Sequence, residues 1–212
     1  MTPRDEAFAH PDVERIARAL ARMPGRVIEP DRAVGYAAIA VVLRIGRGAV
    51  MELLLIRRAE AERDPWSGHV ACPGGRLEPG DADLLATAIR ETREETGLDL
   101  ARDGRVLGTL DDISPRTSLL PPILVRPFVA AISGDTTVTA SAEVAGFLWV
   151  PLHALLDETN WRPTPIAIPA VGVMERRAFH HDDYVVWGMT EGALRQLVDR
   201  LREDARLSAF PP

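Results

Sequence analysis

The segment Arg90-Glu91-Thr92-Arg93-Glu94-Glu95-Thr96-Gly97-Leu98, a short way downstream of Pro73-Gly74-Gly75, constrains this chain more than any other stretch. Glu91, Glu94 and Glu95 stand at helical offsets of zero, three and four, so within about one turn they share a face. On a wheel of roughly 100° per residue, Leu84, Leu85, Ala88, Ile89 and Thr92 fan over roughly 140°, and Glu95 falls at the edge of that stripe. A solvated helix puts its acids opposite the stripe, because like charges at neighbouring positions repel by a few tenths of a kcal/mol per pair. The spacing therefore calls for a positive partner. One reading is a hard divalent cation, Mg²⁺ or Mn²⁺, held by clustered carboxylates. The other is an ordinary glutamate-rich helix in which Arg90 pairs with Glu94 at i, i+4 and Arg93 covers the solvent side.

The surroundings favour a built site. Glu78-Pro79-Gly80-Asp81 forms a turn ahead of the helix, with Asp81 read as its N-cap and Gly97 as its left-handed stop, which gives a loop, helix, loop unit. Glycines at 74 and 75 let backbone come close to a cation or a phosphate.

Together these residues resemble the signature of the Nudix hydrolases, with Gly75, Arg90, Glu91, Glu94, Glu95, Gly97 and Leu98 at the matching places. The match departs from the signature at Asp81, where glutamate is usual, at the eight residues instead of seven between it and Arg90, and at Thr92, where an apolar residue is usual. The resemblance implies a mixed-sheet α/β/α sandwich of the α/β (α+β) class that hydrolyses a diphosphate linked to another moiety. It implies that Glu91, Glu94 and Glu95, with Gly75, hold Mg²⁺ or Mn²⁺ and that Arg90 orients Glu91. Glu143 is a candidate for the additional glutamate such enzymes often bring from outside the motif, against the alternative of a solvated loop acid.

Segments outside the motif resemble the coenzyme A diphosphatase branch: Leu54-Leu55-Ile56-Arg57-Arg58-Ala59, then Arg63, Gly68 and Cys72-Pro73-Gly74-Gly75, then Gly108-Thr109-Leu110-Asp111-Asp112 and Val185-Val186-Trp187-Gly188-Met189-Thr190. The implied substrate is coenzyme A or an acyl derivative, cleaved to 3′,5′-ADP and (acyl-)phosphopantetheine. Arg57, Arg58, Arg63, Trp66, His69 and Gly74 are the candidate substrate-binding residues, weighed against plain surface charge and packing. NADH, ADP-ribose and an oxidised nucleotide are the alternative substrates, and a non-catalytic nucleotide sensor or a metal-free interaction helix the alternative classes.

Composition narrows the options further. The chain has no lysine, which removes P-loop, Schiff-base and lysine-dependent kinase chemistry, while its arginines suit bidentate phosphate recognition. A formal charge of −6 argues against nucleic-acid backbone as the partner and is compatible with a small nucleotide-type substrate bridged by a cation. Cys72 is the one cysteine, which excludes an intrachain disulfide and reads as a small buried apolar residue. Residues 1–10 hold no apolar h-region and residues 33–43, the longest apolar stretch, are too short for a membrane span, so a cytoplasmic protein is expected. Whether it forms a homodimer stays open.

Periodicity predicts a helix over 13–23, strands over 37–43, 52–56, 106–110, 124–131 and 147–150, a short helix over 152–156 and an amphipathic helix over 191–207. His180 and His181 read as exposed loop residues. Residues 1–32 are expected to form a helical extension and residues 33–212 the hydrolase domain, closing helix included.

Overall fold

The computed structural model describes residues 7–28, 35–60, 67–115, 122–168 and 171–209. Its spine is β1 (Gly35–Ile45), whose apolar run lets it be buried on both faces. On one side it runs parallel to β6 (Ile123–Ile132) in register from Gly35↔Ile123 to Arg44↔Ile132. On the other it meets two antiparallel neighbours, β2 (Met51–Arg58) at its C-terminal half and β4 (Gly74–Arg76) at its N-terminal half. The strands β3 (Val70–Ala71) and β7 (Val144–Pro151) both pair with β2, and β5 (Gly104–Thr109) closes the far edge against β6. One parallel pairing within an otherwise antiparallel sheet makes it mixed, as the sequence resemblance implied.

Alternation along β1 feeds two cores. Val41 and Leu43 join a cluster capped by α1 (Pro11–Arg22) and by α5 (Gly188–Ala209), whereas Ala38, Ala40 and Val42 face α2 (Leu84–Thr96) and α3 (Leu100–Asp103). This is the expected α/β/α arrangement. The expected N-terminal helix is present, and it belongs to the main core: Val13, Ile16, Ala19 and Leu20 are buried there. Val13, Ile16 and Leu20 each contribute about 1.5–3 kcal/mol on burial. Arg18 and Arg22 reach the buried carboxylate of Asp204 on α5, which ties the two helices together. Cys72 is buried in the same core, and burial pushes its thiol up to about 12, in keeping with an apolar role.

The short helix α4 (Leu152–Leu156) follows β7 as expected, and α5 starts three residues before the predicted 191. A second sheet was not anticipated: β8 (Trp161–Ile168), β9 (Gly172–His181) and β10 (Tyr184–Trp187) form an antiparallel meander in the order β10-β9-β8. Pro163 and Pro165 hid β8, since proline is confined to edge strands and β8 is an edge. His180 and His181 consequently lie in β9 and are half-buried, not loop residues; His180 Nε2 and Thr164 Oγ1 are 2.7 Å apart across the ladder. No helix among the described residues is long and apolar enough to cross a membrane.

Candidate functional site

The carboxylate helix α2 begins at Leu84, and its N-cap is Asp83, whose backbone is extended and whose side chain accepts the Ala86 N–H at 2.8 Å. Asp81 is therefore not the cap. Its side chain instead receives both arms of Arg90, Nε on Oδ1 and Nη2 on Oδ2, each at 2.9 Å, together with the Glu78 N–H and the Thr87 hydroxyl. The Arg90 guanidinium, beside it and hydrogen-bonded to it, holds the Asp81 carboxyl well below the usual carboxylate range. At the other end Gly97 takes φ 73° and returns its N–H to the Arg93 carbonyl, the left-handed stop the sequence suggested.

Burial along α2 falls on Thr87, Ala88, Thr92, Glu95 and Thr96. Thr92 tolerates its apolar slot because its hydroxyl donates to the Ala88 carbonyl one turn back at 2.7 Å. Glu95 sits in the same stripe at 4% exposure. Its Oε2 accepts the Gly74 N–H at 2.9 Å, and Arg58 Nη1 stands 4.0 Å from its Oε1. Burial raises its carboxyl to about 7; the Gly74 hydrogen bond works against that shift, while the charges of Glu91 and Glu143 add to it. Glu91 is half-buried and its carboxyl is also raised by burial, against the opposing pull of Arg90. Arg90 Nη1 bridges Glu91 at 2.9 Å and Glu94 at 3.1 Å, so the i, i+4 pair is present. Glu94 is the exposed member, with 53% of its side chain in solvent.

Gly74 and Gly75 lie in a strand and not in the loop read from the sequence: β4 sets Gly75 opposite Ala38 and Gly74 opposite Ile39. The register carries them under the glutamates. A side chain at Gly75 would begin 2.2 Å from Glu91 Oε1, and Gly74, at φ 152°, would drive one into the Ala38 carbonyl at 2.2 Å. Both positions thus require glycine for close approach. Glu143 enters from the turn before β7, where its carbonyl accepts the Ala59 N–H at the end of β2, and its charge acts on Glu95.

The sequence-derived residues thus divide into two groups. Arg90, Glu91, Glu94, Glu95, Glu143, Gly74, Gly75 and Arg58 meet at the α2–β4 junction. Arg57 and His69 line a separate cleft of about 560 Å³ between β3, β8 and β10, which sequence reasoning did not find, together with Tyr184 and Trp187. Arg63 and Trp66 lie outside the described residues. Asp81 was seen and given the wrong task; two acids two residues apart compete for one cap, and only Asp83 directly precedes the first apolar residue of the helical repeat.

Among the described residues no three His, Cys, Asp or Glu side chains converge as a finished metal cage. The donors nevertheless fit a hard divalent cation. Glu91 and Glu95 are desolvated carboxylates, the charge of Glu91 adds to the raised proton affinity of Glu95, and the backbone of Gly75 lies bare against Glu91.

A helix-flanked mixed sheet bearing such a carboxylate helix defines a class of hydrolase, and comparison with known proteins identifies which. Residues 35–170 match the NUDIX domain, so the chain belongs to the Nudix hydrolase family and is a hydrolase acting on pyrophosphate bonds, in a family that generally uses divalent metal ions. Similar relatives include uncharacterised Nudix hydrolases called NudL from Cronobacter sakazakii, 33% identical over 77% of this chain and 82% of the relative, and from Enterobacter sp., 32% identical over 74% and 79%. Among solved structures, a NUDIX hydrolase from Alicyclobacillus acidocaldarius shares the fold with TM-score 0.55 at 21% identity, over 82% of this chain and 96% of that one. The NUDIX domain of Shewanella oneidensis NrtR, solved with ADP ribose, does so with TM-score 0.51 at 18% identity, over 89% and 97%.

Proposed function

We propose that this chain hydrolyses the diphosphate linkage of coenzyme A or an acyl-CoA, releasing 3′,5′-ADP and (acyl-)phosphopantetheine, with Mg²⁺ or Mn²⁺ as the cation. The observation that carries the diphosphatase reading is the buried, elevated carboxyl of Glu95 held against Gly74 beside Glu91, a costly arrangement in a fold with no chemistry to perform. The branch resemblance of residues 54–59 and 72–75 supports coenzyme A in particular.

In this reading Glu91, Glu94 and Glu95, with the Gly75 backbone, hold the cation. Arg90 positions Glu91, and Asp81 positions Arg90 by clamping two of its nitrogens. Arg58 stands on the opposite side of Glu95, placed to meet a diphosphate oxygen. Glu143 is the candidate for taking the proton of the attacking water, because it approaches Glu95 from a loop and not from the helix. When bound, a divalent cation offsets diphosphate charge, polarises a phosphoryl oxygen and lowers the pKa of a water.

Incubation with coenzyme A, NADH, ADP-ribose and oxidised dGTP, each with Mg²⁺, tests the substrate. Faster turnover of any of the other three than of coenzyme A would remove the branch assignment and leave the diphosphatase chemistry standing. Tight nucleotide binding by calorimetry with no turnover at any metal concentration would instead favour the sensor.

A further inference from the structure

We propose that the cleft between β3, β8 and β10 receives the neutral, amide-bearing arm that hangs from the substrate's diphosphate, and so selects the substrate without touching the reacting atoms. The proposal rests on the coenzyme A reading above, whose pantetheine portion is such an arm.

The cleft holds about 560 Å³, within the roughly 300–1,000 Å³ of small-molecule pockets. Its lining is tied to the carboxylates through the chain. His69 and Val70 line it, and Gly74, which donates to Glu95, follows four residues later, at most about 13 Å along the chain. The His69 carbonyl also accepts the N–H of Arg58, the residue whose guanidinium faces Glu95. Arg57 and Arg58, consecutive on β2, thus serve the two places, Arg57 the cleft and Arg58 the carboxylates.

The lining says what kind of group belongs there. Among the described residues the side chains of exposed Arg57 and Asp183 and of half-buried Tyr184 make no hydrogen bond or ion pair, which leaves all three available to a group bound in the cleft. One cation, one anion and one phenol offer donors and acceptors in equal measure against the aliphatic wall of β8 at Ile166. A phosphate is disfavoured by Asp183, whereas an amide uses both signs, its carbonyl accepting from Arg57 or Tyr184 and its N–H donating to Asp183. The aromatic pair in the wall is not built to stack a base: His69 and Trp187 meet edge to face, 5.1 Å apart and 64° from parallel.

Pantetheine alone, titrated into the metal-free full chain, is expected to shift the indole N–H resonance of Trp187, assigned with Trp187→Phe, while Trp149 and Trp161 stay as internal references. Ile166→Trp, which fills the cleft from an already half-exposed position, and Tyr184→Phe, which removes one hydroxyl, are expected to raise KM for coenzyme A about tenfold with kcat within about twofold. Coenzyme A turnover with an unmoved Trp187 and an unchanged KM in both variants would overturn the cleft proposal and leave the substrate reading intact. A shift with adenosine but not with pantetheine would overturn it in favour of a base site. Absence of coenzyme A turnover with a saturable pantetheine shift would overturn the substrate reading and keep the cleft as an amide-arm site; absence of both would overturn both.

Discussion

Replacing Glu95 by glutamine separates what the site does for chemistry from what it does to the fold. In the folded chain burial lifts this carboxyl from 4.5 to about 7, so between those values the native state holds a proton that the unfolded chain has already released. Stability is then fully present below about pH 4.5 and is lost as pH rises toward 7. At about 1.36 kcal/mol per pK unit, the ionised side chain costs the metal-free fold about 3 kcal/mol at pH 8. Glutamine keeps an oxygen for the Gly74 N–H and has no charge to desolvate. Metal-free Glu95→Gln should therefore melt higher than the parent at pH 8 by roughly 6–12 °C, given roughly 2–4 °C per kcal/mol in a domain of this size, and the gap should shrink to a small remainder by pH 5. Glu91 shifts in the same direction and is coupled to Glu95 by charge, so the difference between the two proteins reports Glu95 together with that coupling. Mg²⁺ at about a thousand times its Kd should reverse the order, since it stabilises the competent protein by about 4.1 kcal/mol, more than the ionised side chain costs, and turnover of the variant should fall by several orders of magnitude. Thermal denaturation from pH 5 to 8, in chelator and in Mg²⁺, reads all of this. A variant no more stable than its parent at pH 8 in chelator, or equally stabilised at pH 5, would refute the desolvated carboxylate on which the site rests.

Asp81→Asn should leave the fold in place and lower kcat about tenfold or more, because Arg90 keeps Glu91 but loses its bidentate anchor; an unchanged kcat would show that Glu91 needs no such support. Gly75→Ala adds one methyl 2.2 Å from Glu91 Oε1 with no positive φ to strain, so its melting point should stay near the parent's while turnover drops roughly a hundredfold; full activity would place Glu91 elsewhere in the working enzyme. Asp112→Ala should destabilise the chain by about 3 kcal/mol in denaturant titration without changing KM, since it strips the carboxylate that accepts both Nε and Nη2 of Arg126 at 2.8 Å and the Ile28 N–H at 2.7 Å. A loss of activity with unaltered stability would move Asp112 from the frame to the site.

Where local physics and tertiary context agreed, the sequence was readable. The helix over 84–96 announced itself through its apolar stripe and its Gly97 stop, and the β1, β2 and β6 strands through largely aliphatic runs that suit a doubly covered sheet. The acids at 91, 94 and 95 were legible because their spacing is wrong for a solvated face. What failed was anything decided by partners distant in the chain. Whether Asp81 caps a helix or clamps Arg90 depends on where the turn at 78–81 points. The strand character of Gly74 and Gly75 comes from pairing with β1, since glycine has no strand preference of its own. The meander over 161–187 carries prolines and alternating charged residues, and its strands exist because each pairs with the next.

The charge balance at the α2–β4 junction explains why the cluster calls for a cation even though arginine is at hand. Asp81, Glu91 and Glu94 share the single guanidinium of Arg90, and Glu95, on which the charge of Glu143 also acts, has Arg58 at 4.0 Å. Among the described residues these acids therefore outnumber the two arginines beside them, in a place partly shielded from water where each excess charge acts at reduced dielectric. A diphosphate brings further negative charge to this junction and would be repelled from it, while more arginines would neutralise the glutamates and take away the ligands. In the proposed reading a divalent ion would resolve both conflicts at once: it would be attracted by the excess that the fold leaves uncompensated, and it would offer the incoming phosphates a positive face. Arg90 is then best understood as setting the shape of the cluster, with its fork spent on Asp81, and not as its counter-charge.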